Sequence, residues 1–126
     1  MSIPVSLEKL RAEVERYGAT PFLLSVSDDA RPHSVSVAVT WDGDALVMSS
    51  GKRTRANVAS RPLVSLLWAP IEPGGYSLIV DAEGSVRGEG EAARVLAFPT
   101  RAVLHRPATP ETVVKEGCSA DCVPLR

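Results

Sequence analysis

The apolar positions of this chain follow two periods, and the change between them divides the sequence. Leu7, Leu10, Val14 and Tyr17 recur three and four apart, the spacing of one helical face, with Ser6 placed as an N-cap and Gly18 as a stop. Residues 6–17 therefore read as an amphipathic helix, with Lys9 where a capping box would carry Glu. Beyond it the period falls to two. Phe22, Leu24 and Val26 alternate with their neighbours, and a turn follows at Asp28, Asp29, Ala30 and Arg31. Val35, Val37, Val39 and Trp41 then alternate strictly, as a half-buried strand should. Asp42-Gly43 is a hairpin signal, and residues 45–49 form the returning strand.

The second half continues in strands. Residues 54–60 have a helical composition that Pro62 ends, and "LVSLLW" after it reads as a buried strand. A loop rich in Pro and Gly, "APIEPGG", leads to the long strand "YSLIVDAEGSVRGEG", with a bulge expected at Glu83-Gly84. "ARVLAFPTRAVLHRP" is a further strand in which Pro99 implies an edge or a bend. About six strands, an N-terminal helix and one short helix specify a mainly β fold, a small antiparallel barrel rather than a parallel sheet. Periodicity fades after Pro107, so the barrel is assigned to residues 1–107 and residues 108–126 to a loosely packed tail. Apolar strand residues such as Leu66, Trp68 and Ile79 are expected to need cover, and a two-fold dimer is the common solution.

Composition narrows the function. The 126 residues carry 14 Lys plus Arg against 15 Asp plus Glu, which removes the bulk charge of a nucleic-acid binder. There is neither an apolar run of the roughly 18 residues that a membrane span needs nor a secretory leader pattern, so a cytoplasmic protein is expected. Cys118 and Cys122 are too few for a disulfide framework, and a redox-sensitive or exposed thiol pair is the reading for them. His33 and His105 stand at strand ends and receive no role; Trp41 and Trp68 fit core or interface packing.

Against that neutral background "SSGKRTRAN", residues 49–57, stands out. Lys52, Arg53 and Arg55 lie within four positions, beside the hydroxyls of Ser49, Ser50 and Thr54, where a strand gives way to a helix. Cations, hydroxyls and free backbone N–H groups at a helix start are what an anion requires. The segment is not a Walker A loop, which needs Ser or Thr where Arg53 stands and Gly where Leu46 stands. Arg55, one residue beyond Thr54, is expected to point away from the anion.

The Arg31-Pro32-His33 lead-in, the Asp42-Gly43 hairpin, the basic segment and Asn57 followed by Pro62 come in an order that resembles the pyridoxamine 5′-phosphate oxidase-like, FMN-binding split β-barrel family, over about residues 5 to 107. The resemblance implies a homodimer that binds FMN or a deazaflavin of the F-420 type at its subunit interface and transfers hydride to or from a small molecule. It places Ser49, Ser50, Lys52, Arg53 and Thr54 on the phosphate-binding segment, Asn57 on the bracing helix position, and Val35, Val37 and Val39 along the ring by backbone contact. The chain departs from the family's usual pattern in carrying Thr54 where Lys is common and Ser36 where Pro is common. Its excursion between the last two strands is short. The alternative on the same barrel is a non-catalytic cofactor- or haem-binding protein. No metal ligand set and no catalytic side chain is assigned.

Overall fold

The structure is a computed structural model that describes residues 1–108. Eight strand segments form one antiparallel sheet: β1 (Ser2–Val5), β2 (Phe22–Val26), β3 (Pro32–Ser36), β4 (Thr40–Asp42), β5 (Ala45–Met48), β6 (Leu63–Trp68), β7 (Ser77–Arg87) and β8 (Arg94–His105). They run β3-β2-β6-β7-β8-β5-β4, with β1 added on β8. The two ends of that path, β3 and β4, are halves of the single alternating run foreseen through Val35 to Trp41. The connecting residues stay extended, Val37 N–H donating to the Pro21 carbonyl (3.0 Å) and Val39 N–H to the Ala19 carbonyl (2.8 Å). One run therefore pairs with β2 at its start and β5 at its end, and a ring of six strands closes. Closure removes the exposed edges that would otherwise template aggregation.

Helix α1 (Leu7–Tyr17) packs on β8 and buries Leu10 and Val14. Its last turn closes at Gly18, whose φ of 106° suits a residue without Cβ and whose N–H donates to the Val14 carbonyl at 2.8 Å. Helix α2 (Lys52–Ser60) packs on β2 and β7, with Val58 fully buried. The barrel interior holds Leu23, Leu46, Leu66, Leu78, Val80 and Val95, each fully buried and each stabilising the fold by roughly 1.5–3 kcal/mol relative to exposure. Among the described residues no helix is long and apolar enough to cross a membrane.

Four expectations are corrected. The inward face of β2 is Leu23 and Ser25, so Phe22, Leu24 and Val26 form the outer face and Phe22 is 46% exposed. Leu66 and Trp68 likewise belong to the core rather than to a face needing cover. Glu83 and Gly84 pair regularly with Phe98 and Ala97; the register shift falls between Asp81 and Ala82, opposite the Pro99–Arg101 stretch of β8. Pro99 has no N–H to give the ladder, which is why the irregularity lies there. Gly84 serves packing instead: a Cβ on it would lie 2.8 Å from a Val58 methyl. Finally, α2 begins at Lys52, not at Thr54. Cys118 and Cys122, with the tail assigned from residue 108, lie outside the described residues except for Ala108 itself.

Candidate functional site

The basic segment is built by the junction of β5 and α2. After Met48 the chain leaves the ladder, and Gly51 takes an extended conformation (φ −76°, ψ 174°) as N-cap of α2. Arg55 N–H makes the first intrahelical bond, to the Gly51 carbonyl at 3.1 Å. The N–H groups of Lys52, Arg53 and Thr54 precede that bond and carry the positive end of the helix dipole. Among the described residues no side chain caps them, and no acidic residue occupies the first turn. A Cβ built on Gly51 would meet nothing within 4 Å, so space is open at the helix start.

The side chains around this terminus divide into free and committed. Lys52 and Arg53 are exposed, as is Ser49. The Ser50 hydroxyl is buried without a hydrogen-bond partner among the described residues. A buried polar group left unpaired costs about 1–3 kcal/mol, so an unpaired hydroxyl next to an uncapped helix start marks a place for a ligand. Thr54 is 2% exposed, so it offers the terminus its backbone N–H while its side chain packs inward. Arg55 does not point away from the terminus: its guanidinium donates to the Ser50 carbonyl, folding back over the junction. Asn57 is buried, and its amide donates to the Ser25 hydroxyl at 3.1 Å, tying the middle of α2 to the inner face of β2.

Sequence reasoning missed the second wall. Lys52, Arg53, Ala56 and Asn57 face Ser27, Asp28, Asp29 and Arg31 of the β2–β3 turn across an open cleft of about 660 Å³. Asp28 pairs with Arg61 at the far end of α2, at 2.6 Å. The Asp29 carboxylate accepts from the Ser27 hydroxyl (2.6 Å) and from the Arg31 N–H (3.3 Å). The Ser27 hydrogen bond, followed by that from the Arg31 backbone, holds the Asp29 carboxyl below the usual carboxylate range, with a smaller contribution from the Arg53 charge. An anion in this cleft therefore meets Lys52, Arg53 and Arg31, with two carboxylates nearby: Asp29, and Asp28 paired to Arg61. The turn signal at Asp28 to Arg31 was visible in the sequence; its position opposite α2 depends on tertiary packing.

The strand residues are placed differently. Val37 and Val39 are buried in the core and Val35 is half-buried against it. Their side chains point inward, and the outward positions of the same run are Ser34, Ser36 and Ala38, all exposed. Among the described residues no group of three metal-ligating side chains occurs.

No protein-family model matches the sequence. An uncharacterized protein of Mycobacterium tuberculosis and one of Mycobacterium bovis are each 38% identical over 133 residues, spanning 94% of this chain and 93% of the relative. Among solved structures, a Listeria innocua protein named for pyridoxamine 5′-phosphate oxidase matches with a TM-score of 0.64 and 21% identity over 78% of this chain and 96% of its own. An FAD-binding protein of Mycobacterium smegmatis matches with a TM-score of 0.59 and 14% identity, over 84% of this chain and 100% of its own. An F420 reductase matches with a TM-score of 0.54 and 15% identity, over 67% of this chain and 88% of its own. The chain belongs to one family with these near-full-length mycobacterial relatives, and it shares the split β-barrel fold of the solved structures.

Proposed function

We propose that this protein is a flavin-type oxidoreductase that binds FMN or a deazaflavin through the N-terminus of α2. The observation that carries the reading is the uncapped first turn of α2, with exposed Lys52 and Arg53 and the unpartnered Ser50 hydroxyl beside it. That donor set fits a phosphate: N–H groups at a helix start, two exposed cations and a hydroxyl without a partner among the described residues. Ser49 lies exposed at the same junction. Asn57 positions the helix, and Thr54 supplies a backbone N–H. The run from Val35 to Val39 presents backbone with the small Ser36 and Ala38 side chains outward, a flat surface against which a planar ring can lie. When bound, the flavin or deazaflavin supplies hydride transfer; the protein binds, orients and shields it. Fold neighbours named for F420 reduction and FAD binding support a cofactor of this class.

The outer faces of β2 and β6 support a homodimer. Phe22 pairs with Leu67, and Leu67 with Ile79, so an apolar row crosses three neighbouring strands; Leu63, 71% exposed, lies on the same face of β6 beyond Ser65. A second copy with the same band is the self-complementary cover. The deciding experiment adds FMN, deazaflavin F-420 and haem in turn to the purified protein and follows absorbance and calorimetry, then turnover of the reduced cofactor with an acceptor panel. Saturable binding of a phosphorylated flavin or deazaflavin with turnover is expected. Saturable binding without turnover on any acceptor, or of haem alone, would establish the non-catalytic alternative.

A further inference from the structure

We propose a second ligand site, for a neutral aromatic molecule bearing a carbonyl acceptor, in the cleft between the first half of α1, the β4–β5 hairpin and the middle of β8. It begins as a gap in the sheet. One edge of β8 is occupied by β7 over the whole strand, so β5 and β1 must share the other. On that edge β5 covers Val95 to Ala97 and β1 covers Ala102 to His105. The residues between them, Phe98 to Arg101, have no strand partner there among the described residues, and α1 packs on β8.

The resulting cleft measures about 590 Å³, within the range of small-molecule pockets. Its apolar walls are Leu7, Leu10, Trp41, Phe98 and Pro99. Leu7 belongs to the apolar periodicity of α1, yet it is 52% exposed, and Phe98 is 42% exposed. Two large apolar side chains on one cleft are an invitation to a ring.

Trp41 supplies the direction. Its indole N–H is buried and has no acceptor among the described residues, whereas that of Trp68 donates to the Gly18 carbonyl at 2.8 Å. Over the Trp41 ring, 4.6 Å from its centroid, lies the exposed Arg11 guanidinium, held by one hydrogen bond to the Gly43 carbonyl at 2.9 Å. Arg11 is a movable cover, because an exposed cation exchanges such a bond for water at little cost. With Arg11 displaced, a ligand ring takes its place on the Trp41 face and directs its carbonyl toward the in-plane indole N–H, which has no partner among the described residues. Glu8 and Asp44 also line the cleft and oppose an anion, so the acceptor is neutral. The site is separate from the anion cleft: Asp44 precedes the first residue of β5, while Ser49 and Ser50 follow its last.

The chain has two tryptophans, so ¹⁵N-labelled protein gives two indole N–H signals, assigned with Trp41→Phe. The probes are 2-acetylnaphthalene and, as its match without an acceptor, 2-ethylnaphthalene, titrated into cofactor-free protein so that the result stands apart from the flavin reading. The expected result is a saturable downfield shift of the Trp41 signal with the ketone while Trp68 stays fixed. The ketone should bind about five- to tenfold more tightly than the hydrocarbon. Trp41→Phe should abolish that preference, and Leu7→Ala should weaken both probes. No saturable shift with the ketone, equal affinities for the two probes, or tighter binding of 2-naphthylmethylammonium would each overturn the proposal.

Discussion

Replacing the cations of α2 one at a time separates ligand binding from folding. Lys52 and Arg53 are exposed and have no hydrogen-bond or ion-pair partner among the described residues, so alanine at either should change stability by less than about 0.5 kcal/mol. A charge-assisted hydrogen bond to phosphate contributes roughly 1.5–3 kcal/mol, about ten- to a hundredfold in affinity. The nearby Asp29 carboxylate opposes the anion, which places Arg53→Ala toward the upper end: removing Arg53 leaves that carboxylate less compensated. Arg55→Ala is no silent control, because its guanidinium holds the Ser50 carbonyl at the helix start. It should weaken binding by a smaller factor, about threefold, through loss of order at the junction. Titration calorimetry with FMN and with the deazaflavin reads all three variants, and urea melts check the fold. If Lys52→Ala and Arg53→Ala bind a cofactor as the parent does, the phosphate is not held at α2 and the site assignment fails.

Gly84→Ala should destabilise by about 1–3 kcal/mol in urea unfolding, because its Cβ would lie 2.8 Å from a methyl of the fully buried, β-branched Val58; adding Val58→Ala should return part of the loss, and a neutral single variant would contradict the packing described. Phe22→Glu places a charge on the outer apolar band without touching the core, so sedimentation at micromolar concentration should turn a dimer into a monomer; a parent already monomeric would remove the shared-site reading. The folded Asp29 carboxyl lies below its unfolded value, so its stabilising effect is present above the ordinary carboxylate pKa and is lost as pH falls through the folded one. Carboxyl NMR should show Asp29 titrating below the usual carboxylate range, and the acid limb of stability should flatten in Asp29→Asn; titration at the ordinary value would contradict the Ser27 hydrogen bond.

The elements of this fold are largely local in origin, and the sequence shows them. Period-two alternation marks the strands, and Gly18 ends α1 where its positive φ requires it. The errors arise where two readings have equal local support. In β2 the outer residues Phe22, Leu24 and Val26 are more apolar than the inner pair Leu23 and Ser25. Hydrophobicity therefore selects the wrong parity, and Ser25 is tolerated inside because Asn57 satisfies its hydroxyl. Strand β1 escapes notice because it is four residues long and contains Pro4, which only an edge position on β8 accommodates. At the site, the donors of α2 are contiguous in sequence and were legible. Their opposing wall, Asp28 to Arg31, is more than twenty residues away, and its approach follows from the pairing of β2 with β3 and the packing of α2 on β2.

Helix α2 is restrained unevenly, and the unevenness suits a binding element. Its middle is fixed by Asn57 on Ser25 and by Val58 against Gly84. Its far end is held by Arg61 on Asp28. Its first turn, by contrast, has no side-chain cap among the described residues and no acidic residue of its own, and keeps exposed cations. A helix end with unpaired donors is held in place by the rest of the helix, so the donors lose little entropy when an anion arrives. The Arg61–Asp28 pair also ties down the turn that carries Asp29, and with it the distance between the Asp29 carboxylate and the cations. The same three contacts that stabilise α2 on the barrel therefore determine the width and the charge of the cleft at its start.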